Sequence, residues 1–581
     1  MDSQPRTAPP LRFRNVADLV RTNAAGFADR PVFAEKDAAG AYRPITWARL
    51  GDDVERVAAA LRARGFKHGD KMVIFSPNRL DMLRMELAVM ASGGIAVPIF
   101  AHFKQETAEL LIRHSDARCL TAAGAAQLQK LSVSLDLQLV IALDAVDPDA
   151  FAINGIVPFS ELLAHPADGE GIDITLDPDA LCLNMYTSGT MGVPKCVQLS
   201  HRNILSQQDA LSATTWWNLD EHDRFLSYLP WHHSFGGIFE LFNVLYRGAC
   251  LFLESSLGRD AAEIMANWQS VQPTVFFSVP KVYQALFDLS RESPQAEALF
   301  FHGGLKFIFT AAAALPQRLS DEFERRGIPV IEGWGLTETA PCCTLTDPNV
   351  KRATGVVGMP IPGVRVRIDD DGEILVKGPN VMRGYYKNDE ANAGIFTNDG
   401  WFRTGDVGEM GSTGLRIITR KDRIFKLSNG EKVIPSDLER AIEGNCHYVS
   451  FAVVSDSGQD YPVALLFPNR RQLDNPDYSV TPLDGCLCPR NLEELQHCLR
   501  GCLKNANCSI GQKFSKVRKA VIVDDDLSLE KSTLTPSMKV APVKVLETYR
   551  EHLDHLYDDT GMPPEDAYVI RLDDPPAATN A

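Results

Sequence analysis

The sequence lacks an apolar segment long enough to cross a membrane. Its longest nearly apolar run, Leu87–Ala101, has 15 residues and contains Gly93, Gly94 and Pro98. Because a spanning helix needs about 20 apolar residues, this run predicts a buried helix, a turn and a strand. The polar first residues of the chain also lack the apolar core of a secretory signal. We therefore predict a cytoplasmic protein whose contact with membranes is at most peripheral.

The chain also lacks an excess of positive charge. It carries 59 Lys and Arg against 75 Asp and Glu, so its formal net charge is −16. Binding to the phosphates of nucleic acid needs clustered Lys and Arg, so this balance argues against a nucleic-acid partner. Hydrophobic residues make up 45% and charged residues 23% of the chain, which excludes wholesale disorder.

The spacing of a strong zinc motif is absent as well. The chain has 12 cysteines, and five fall within 23 residues: Cys486, Cys488, Cys498, Cys502 and Cys508. This segment lacks the paired C-x₂-C knuckles that typify structural zinc sites. We predict ordinary reduced thiols, with a zinc site as the open alternative.

Alternating helical and strand patterns fill the first 130 residues. Val54, Val57 and Leu61 recur at helical spacing, and Lys71–Ser76 has the composition of a buried strand. The alternation continues along the chain and predicts βαβ units with largely parallel sheets. Further strands are predicted at Ala180–Met185, Phe225–Leu229, Cys250–Leu253, Val275–Ser278, Leu305–Ala311 and Ile328–Ile331.

The pattern changes beyond residue 360. Val364–Ile368 and Glu373–Lys377 alternate at period two around an Asp-Asp-Asp-Gly turn, which predicts an antiparallel hairpin. Renewed α/β patterning then runs to residue 558. The acidic, proline-containing end of the chain predicts a loose tail.

The stretch Tyr186–Lys195 (YTSGTMGVPK) carries the strongest chemical signal. It follows a predicted strand, and its hydroxyls, glycines and lysine supply the donors that a polyphosphate requires. The Walker A pattern fails here because Pro194 precedes Lys195 and Cys196 follows it. A kinase or GTPase interpretation therefore loses its main support.

Two later stretches suit a nucleotide as well. Glu332–Thr339 (EGWGLTET) combines an aromatic ring for a base, a hydroxyl for a phosphate and a carboxylate for magnesium. Gly400–Asp406 (GWFRTGD) presents an acid in a glycine-rich turn, which suits a ribose diol.

These three stretches, with RKDR at 420–423 and GEKVIP at 430–435, resemble the signature series of the adenylate-forming superfamily in order and spacing. The superfamily includes acyl-CoA synthetases, firefly-type luciferases and peptide-synthetase adenylation domains, and the resemblance covers residues 15–557. The segments Tyr228–Pro230, Pro273–Tyr283 and Leu534–Lys539 are most similar to long-chain fatty acyl-CoA synthetases.

The resemblance implies an α/β fold in several parts. A large N-terminal domain of stacked αβ sheets plus a small antiparallel β-unit would span residues 1–418. A hinge (419–424), a mobile, smaller α+β C-terminal domain (425–558) and a flexible tail (559–581) would follow.

The resemblance also implies a two-step reaction. A fatty acid would attack the α-phosphate of ATP with release of pyrophosphate, and the acyl adenylate would then pass to the thiol of CoA with release of AMP. The implied ATP-binding residues are Thr187, Ser188, Gly189, Thr190, Lys195, Trp334, Gly335, Asp406 and Arg420.

Four residues have implied catalytic roles. Thr337 would contact the α-phosphate, Glu338 would ligate Mg²⁺, and Lys539 would stabilise the charge that develops as the carboxylate attacks. His233 aligns with a histidine near the acyl carboxylate. The following Gly236 and Gly237 would leave room for a long chain, although a tight turn explains them equally well.

The two half-reactions imply a swivelling C-terminal domain. Asp422 matches the hinge acid of related enzymes, and the loop at Gly430 would serve the CoA step. Transfer to the thiol of an acyl carrier protein instead of CoA remains an alternative, as does activation of medium-chain or other carboxylates. A non-enzymatic scaffold is disfavoured because Thr187, Glu338 and Lys539 are all present.

Overall fold

The computed structural model describes residues 7–132, 134–167, 169–187, 195–311, 315–353, 355–455, 458–475, 487–528, 530–535, 540–557, 564 and 567–572. The chain divides into two compact units: Met1–Thr404 with Met410–Arg416, and Gly405–Glu409 with Ile417–Ala581.

The helices of the larger unit are α1 (Val16–Gly26), α2 (Trp47–Ala63), α3 (Leu80–Ala91), α4 (Gln105–Ser115), α5 (Ala125–Leu128), α6 (Phe159–Leu163), α7 (His201–Ser212), α8 (Leu241–Arg247), α9 (Ala261–Val271), α10 (Pro280–Ser290), α11 (Pro294–Phe300), α12 (Gln317–Arg325) and α13 (Asp389–Asn392). A π-helix, Phe235–Glu240, leads directly into α8.

The strands up to residue 385 are β1 (Pro31–Lys36), β2 (Tyr42–Thr46), β3 (Lys71–Phe75), β4 (Ile95–Ile99), β5 (Cys119–Ala122), β6 (Leu139–Ala142), β7 (Ile156–Pro158), β8 (Leu181–Thr187), β9 (Lys195–Ser200), β10 (Arg224–Ser227), β11 (Cys250–Leu253), β12 (Val275–Ser278), β13 (Phe307–Thr310), β14 (Val330–Trp334), β15 (Thr344–Leu345), β16 (Met359–Pro360), β17 (Arg365–Ile368), β18 (Glu373–Lys377) and β19 (Gly384–Tyr385).

Two large mixed sheets organise this unit. One has nine strands in the order β16-β15-β14-β13-β12-β10-β11-β1-β2, and the other has eight in the order β19-β9-β8-β4-β3-β5-β6-β7. The central pairs, such as β12 with β13 and β3 with β4, are parallel, whereas β8, β9 and β19 pair antiparallel. The predicted α/β class is confirmed.

The antiparallel hairpin is confirmed too. β17 pairs antiparallel with β18, and both belong to a four-stranded sheet in the order β17-β18-β20-β21. Its other strands are β20 (Phe402–Gly411) and β21 (Gly414–Arg420); residues 405–409 of β20 and 417–420 of β21 belong to the smaller compact unit.

The smaller unit contains its own sheet and helices. The strands are β22 (Phe425–Lys426), β23 (Lys432–Val433), β24 (Val449–Ser455), β25 (Val463–Pro468), β26 (Lys519–Val523) and β27 (Ala567–Arg571), of which the last four form one sheet in chain order. The helices are α14 (Pro435–Asn445), α15 (Arg470–Leu473), α16 (Leu492–Cys508), α17 (Pro542–Thr548) and α18 (Arg550–Tyr557).

Local sequence explains where the elements begin. The Thr46 hydroxyl accepts a hydrogen bond from the backbone N–H of Arg49 and caps α2, whose buried face carries the predicted Val54, Val57 and Leu61. The apolar run Leu87–Ala101 divides, as predicted, into the end of α3, a turn and β4. Within the described residues, no helix has both the length and the apolarity to cross a membrane.

The loose-tail prediction was wrong for Ala567–Arg571. This segment pairs antiparallel with all five residues of β26 and buries Ile570. Its apolar residues gain burial by completing the sheet, and this outweighs the disorder expected from its composition.

Within the described part of the chain, no group of three or more His, Cys, Asp or Glu side chains could hold a metal ion.

Candidate active site

A turn after β14 carries the predicted nucleotide residues. The strand runs to the buried Trp334, so Glu332–Trp334 lie in β14 and not in a loop as the predicted strand Ile328–Ile331 implied. Gly335 is required here, because a Cβ atom at this position would lie 1.8 Å from the Pro341 carbonyl oxygen. The chain can therefore fold back closely enough to form the short 3₁₀ turn Thr337–Thr339.

Side chains from distant segments hold the first half of this turn. The hydroxyl oxygens of Ser234 and Thr337 are 2.9 Å apart, and Ser234 is buried. The phenol of Tyr385 donates a 2.7 Å hydrogen bond to Oε1 of Glu338. The predicted α-phosphate residue and the predicted metal ligand are thus both fixed in orientation.

Two fully buried amides hold the second half. Asn380 donates to the carbonyl oxygens of Thr339 at 2.8 Å and Cys342 at 3.0 Å. Gln207 donates to the carbonyl of Ala340, a non-glycine residue with a left-handed φ of 57°. This conformation costs an L-residue about 1–2 kcal/mol, and the buried hydrogen bonds offset that cost. Each of four consecutive residues, 337–340, therefore has its own anchoring side chain.

The predicted phosphate stretch joins two paired strands. Thr187 ends β8 and Lys195 begins β9, and the two residues are direct partners across the antiparallel pair. The Thr187 hydroxyl donates a 3.4 Å hydrogen bond to the Lys195 carbonyl. Ser188, Gly189 and Thr190 lie outside the described residues.

Lys195 and Glu338 meet the same aromatic ring. The Lys195 ammonium lies 5.0 Å from the centroid of the Tyr385 ring, whose hydroxyl binds Glu338. A cation over an aromatic face is attracted to it without being neutralised. The structure thus brings two of the sequence-predicted site residues to opposite parts of one tyrosine.

The predicted acyl residue His233 lies in a turn between two elements. β10 ends at Ser227, and the π-helix begins at Phe235. His233 Nδ1 accepts a 3.2 Å hydrogen bond from the backbone N–H of Phe235. Burial lowers the pKa of the neighbouring His232 to about 4, and its ring lies 4.9 Å from Phe100.

The glycines of this segment serve backbone packing. A Cβ atom at Gly236 would lie 2.6 Å from the Leu229 carbonyl oxygen, and one at Gly237 would lie 2.0 Å from that of Trp231. Both positions therefore need glycine so that the π-helix can lie against the preceding turn. Of the two explanations offered by the sequence, the geometry favours the tight turn over space for a chain.

Aromatic side chains line the buried face of the π-helix. The Phe239 and Phe309 ring centroids are 4.6 Å apart, and Phe277 lies 4.9 Å from Phe309. Next to Phe239, Glu240 is fully buried and accepts from the Ser227 hydroxyl; burial raises its pKa well above that of an ordinary carboxyl. The buried face of the π-helix is therefore largely aromatic, with one buried carboxyl whose neutral form is favoured.

The smaller unit contains the predicted ribose residues. The Arg420 guanidinium donates a 2.9 Å hydrogen bond to the buried Asp406, and its Nε lies 3.7 Å from Asp422. Gly430 adopts a left-handed φ of 85° between β22 and β23, which explains the glycine there. Lys539 lies outside the described residues.

Comparison with known proteins gives this geometry its family. A family model described as AMP-binding enzyme matches residues 20–386, and one for the AMP-binding enzyme C-terminal domain matches residues 422–561. The chain belongs to the AMP-binding enzymes. The predicted superfamily is therefore confirmed.

Named relatives of this AMP-binding enzyme act on different acids. A long-chain-fatty-acid–CoA ligase of Mycobacterium bovis is 26% identical over 580 residues, covering 89% of this chain and 93% of the relative. A sulfoacetate–CoA ligase of Cupriavidus necator is 30% identical over 457 residues, covering 75% and 84%. An AMP-forming acid–CoA ligase is supported, whereas the identity of the acid is not fixed by these relatives.

Solved structures show the same fold. The O-succinylbenzoate coenzyme A synthetase from Bacillus subtilis, in complex with ATP and magnesium ion, has a TM-score of 0.69 and 22% identity, covering 93% of this chain and 99% of its own. Adenylate-forming CoA ligases use ATP with Mg²⁺ and CoA, and these are the cofactors predicted from the sequence.

The residues that anchor the site were missed at the level of sequence. Ser234, Gln207, Asn380 and Tyr385 each act on a turn that lies at least 41 residues away along the chain. The sequence itself carries no sign of these contacts.

A buried ion pair beneath the site was also missed. Arg352 binds both carboxylate oxygens of Glu332, at 2.8 and 2.9 Å, and the two side chains are only 2% and 4% exposed. The same pair holds Leu315, whose N–H donates to Glu332 and whose carbonyl accepts from Arg352. It fixes the strand that ends at Trp334.

Proposed function

We propose that this AMP-binding enzyme activates a fatty acid with ATP, giving acyl-AMP and pyrophosphate, and then forms long-chain acyl-CoA and AMP. The Ser234–Thr337 contact carries the proposal. It joins the segment of His233, proposed to lie at the acyl carboxylate, to the residue proposed to bind the α-phosphate, and these are the two groups that react. Binding both partners in a fixed orientation removes much of the entropic barrier to adenylation.

The surroundings of the acyl segment favour an apolar acid. The π-helix buries phenylalanine rings, and burial raises the pKa of the nearby Glu240 carboxyl, which favours its neutral form. A hydrocarbon chain loses nothing on entering such surroundings, whereas a second ionised group would lose its hydration. A fatty acid therefore fits better than a dicarboxylate or a sulfonated acid.

Different residues would bind the phosphates of ATP and its metal ion. The β- and γ-phosphates would be bound by Thr187, Ser188, Gly189, Thr190 and Lys195. Glu338 would hold Mg²⁺; its carboxylate oxygens are the ligands that this ion prefers, and bound Mg²⁺ would supply charge neutralisation at the phosphates.

The remaining nucleotide residues would hold the rest of ATP. Trp334 and Gly335 would flank adenine, and Asp406 with Arg420 would bind the ribose. Lys539 would then stabilise the charge shared between the α-phosphate and the attacking carboxylate.

The smaller unit would act in turn on the two steps. Residues 419–424, with Asp422, are the proposed hinge between domains 1–418 and 425–558, and the loop at Gly430 would serve the thioester step. A swivelling domain lets one site perform two reactions.

A carboxylate-dependent ATP–pyrophosphate exchange panel tests the proposal. We expect exchange to rise with chain length from short to long fatty acids and thioester to form when CoA is added. Exchange with short or sulfonated acids alone would contradict the fatty-acid assignment. Thioester formed only on an acyl carrier protein would show that the carrier protein, not CoA, is the acceptor.

A substitution tests the role of Lys539. Lys539→Ala should abolish exchange while conversion of preformed acyl adenylate to thioester largely survives, and equal loss of both activities would refute its role.

A further inference from the structure

Tyr385 lies between two charged residues of the ATP site. Its hydroxyl donates to Glu338 at 2.7 Å, and the Lys195 ammonium lies 5.0 Å from its ring centroid. We propose that Tyr385 is a positioning residue that sets the Glu338 carboxylate for Mg²⁺-bound ATP. This inference rests on the proposed function only in taking Glu338 as the metal ligand.

The backbone of Tyr385 is held firmly enough for such a role. β19 pairs antiparallel with β9, so that Tyr385 lies opposite Val197. The side chain of Asn392 accepts from the Tyr385 N–H at 2.9 Å and donates to its carbonyl at 2.8 Å. With only 6% of the residue exposed, the phenol has little freedom to leave Glu338.

The hydrogen bond from Tyr385 restricts the orientation of the Glu338 carboxylate before an ion binds. A glutamate side chain loses several rotatable bonds when it binds an ion, and a donor that fixes one oxygen in advance reduces that loss. The second carboxylate oxygen stays available to the metal. Replacing such a partner of a metal ligand typically weakens metal binding or activity about 10–100-fold.

The ring and the hydroxyl can be separated by substitution. Tyr385→Phe keeps the ring beside Lys195 and the β19–β9 pairing, and removes the hydroxyl that donates to Glu338. Tyr385→Leu removes the aromatic face as well. The first variant therefore isolates the effect on the metal ligand, and the second adds the effect on the lysine.

The next residue supplies a matched control. The Tyr386 hydroxyl donates to Asp116 at 2.6 Å and accepts from Lys71 at 2.7 Å, and it does not contact Glu338. Tyr386→Phe therefore removes the same chemical group one position along the chain. Any loss caused by generally weakening this segment would be common to both variants.

The test measures binding without any reaction. Isothermal titration calorimetry with α,β-methylene ATP, at a series of Mg²⁺ concentrations, gives the affinity for the analogue and its dependence on Mg²⁺. We expect Tyr385→Phe to raise the Mg²⁺ concentration needed for half-maximal tightening about tenfold, with the Mg²⁺-free affinity and thermal unfolding unchanged. Tyr386→Phe should match the natural protein.

A double substitution decides whether Glu338 is the route. In a Glu338→Gln background, Tyr385→Phe should have no further effect on the Mg²⁺ dependence. Three results would overturn the proposal. The first is a Mg²⁺ dependence that Tyr385→Phe leaves unchanged, and the second is an equal weakening of analogue binding with and without Mg²⁺. The third is a full effect of Tyr385→Phe in the Glu338→Gln background. The assay contains no carboxylic acid and no CoA, so its outcome is independent of the acid panel.

Discussion

Removing Arg352 should destabilise the larger unit strongly. Its side chain is 2% exposed and makes four polar contacts: two with Glu332, one with the Leu315 carbonyl at 2.6 Å and one with Gln317 at 3.2 Å. Arg352→Met keeps the bulk of the side chain but leaves the Glu332 carboxylate buried without its partner. Breaking a buried pair in this way costs about 3–5 kcal/mol.

A second substitution separates the ion pair from general packing. Glu332→Gln keeps an acceptor for the Leu315 N–H and removes the charge. In the double variant no buried charge remains, so most of the loss caused by Arg352→Met should be recovered. We expect the double variant to be more stable, by about 2 kcal/mol or more in its free energy of unfolding, than the sum of the two single changes predicts.

The tryptophans make the measurement specific to one unit. All seven lie in the larger compact unit: Trp47, Trp216, Trp217, Trp231, Trp268, Trp334 and Trp401. Intrinsic fluorescence during urea unfolding therefore follows that unit, which matters because a two-unit chain need not unfold in one step. A change below about 0.5 kcal/mol for Arg352→Met, or full additivity in the double variant, would refute the reasoning.

Two further predictions use the same fluorescence assay. Gly237→Ala should destabilise the larger unit by about 1–3 kcal/mol, because its Cβ would lie 2.0 Å from the Trp231 carbonyl oxygen. Gly26→Ala, which meets nothing within 4 Å, should not, and equal effects would contradict this explanation. Burial raises the pKa of Glu86 from 4.5 to about 8, so the stability that it contributes is full below pH 4.5 and declines by roughly 1.4 kcal/mol per pH unit up to about pH 8. Glu86→Gln should make stability in this range less dependent on pH, and an unchanged slope would show that Glu86 does not titrate as described.

Local sequence predicted the parts of the site that need only short-range information. Hydroxyls and a lysine beside two strand ends identified Thr187 and Lys195, and a glycine-rich turn with a carboxylate identified Glu338. Such signals are informative because phosphate and metal chemistry restrict the residue types that can serve. The assignment of roles to these residues stays a prediction until the exchange and binding assays are made.

The anchoring contacts depend on long-range pairing and could not be predicted. Tyr385 reaches Glu338 because β19 pairs with β9, and no local pattern specifies that pairing across nearly 190 residues. The predicted end of β14 at Ile331, rather than Trp334, was wrong for a related reason. Glu332 and Gly333 have low strand propensity, but the buried ion pair with Arg352 holds them extended.

On the proposed roles, a chain with a net charge of −16 binds its anionic ligand through a few local cations. Within the described residues, the Lys195 ammonium lies against an aromatic ring and makes no ion pair, so its charge remains available to phosphates. Arg420 is different, because Asp406 already neutralises it at 2.9 Å. A neutral pair of donors and acceptors suits the uncharged hydroxyls of a ribose, whereas an unneutralised cation suits a polyphosphate. The proposed division of roles between these two cations rests on their immediate partners, since charges more than about 8–10 Å away are largely screened at physiological salt.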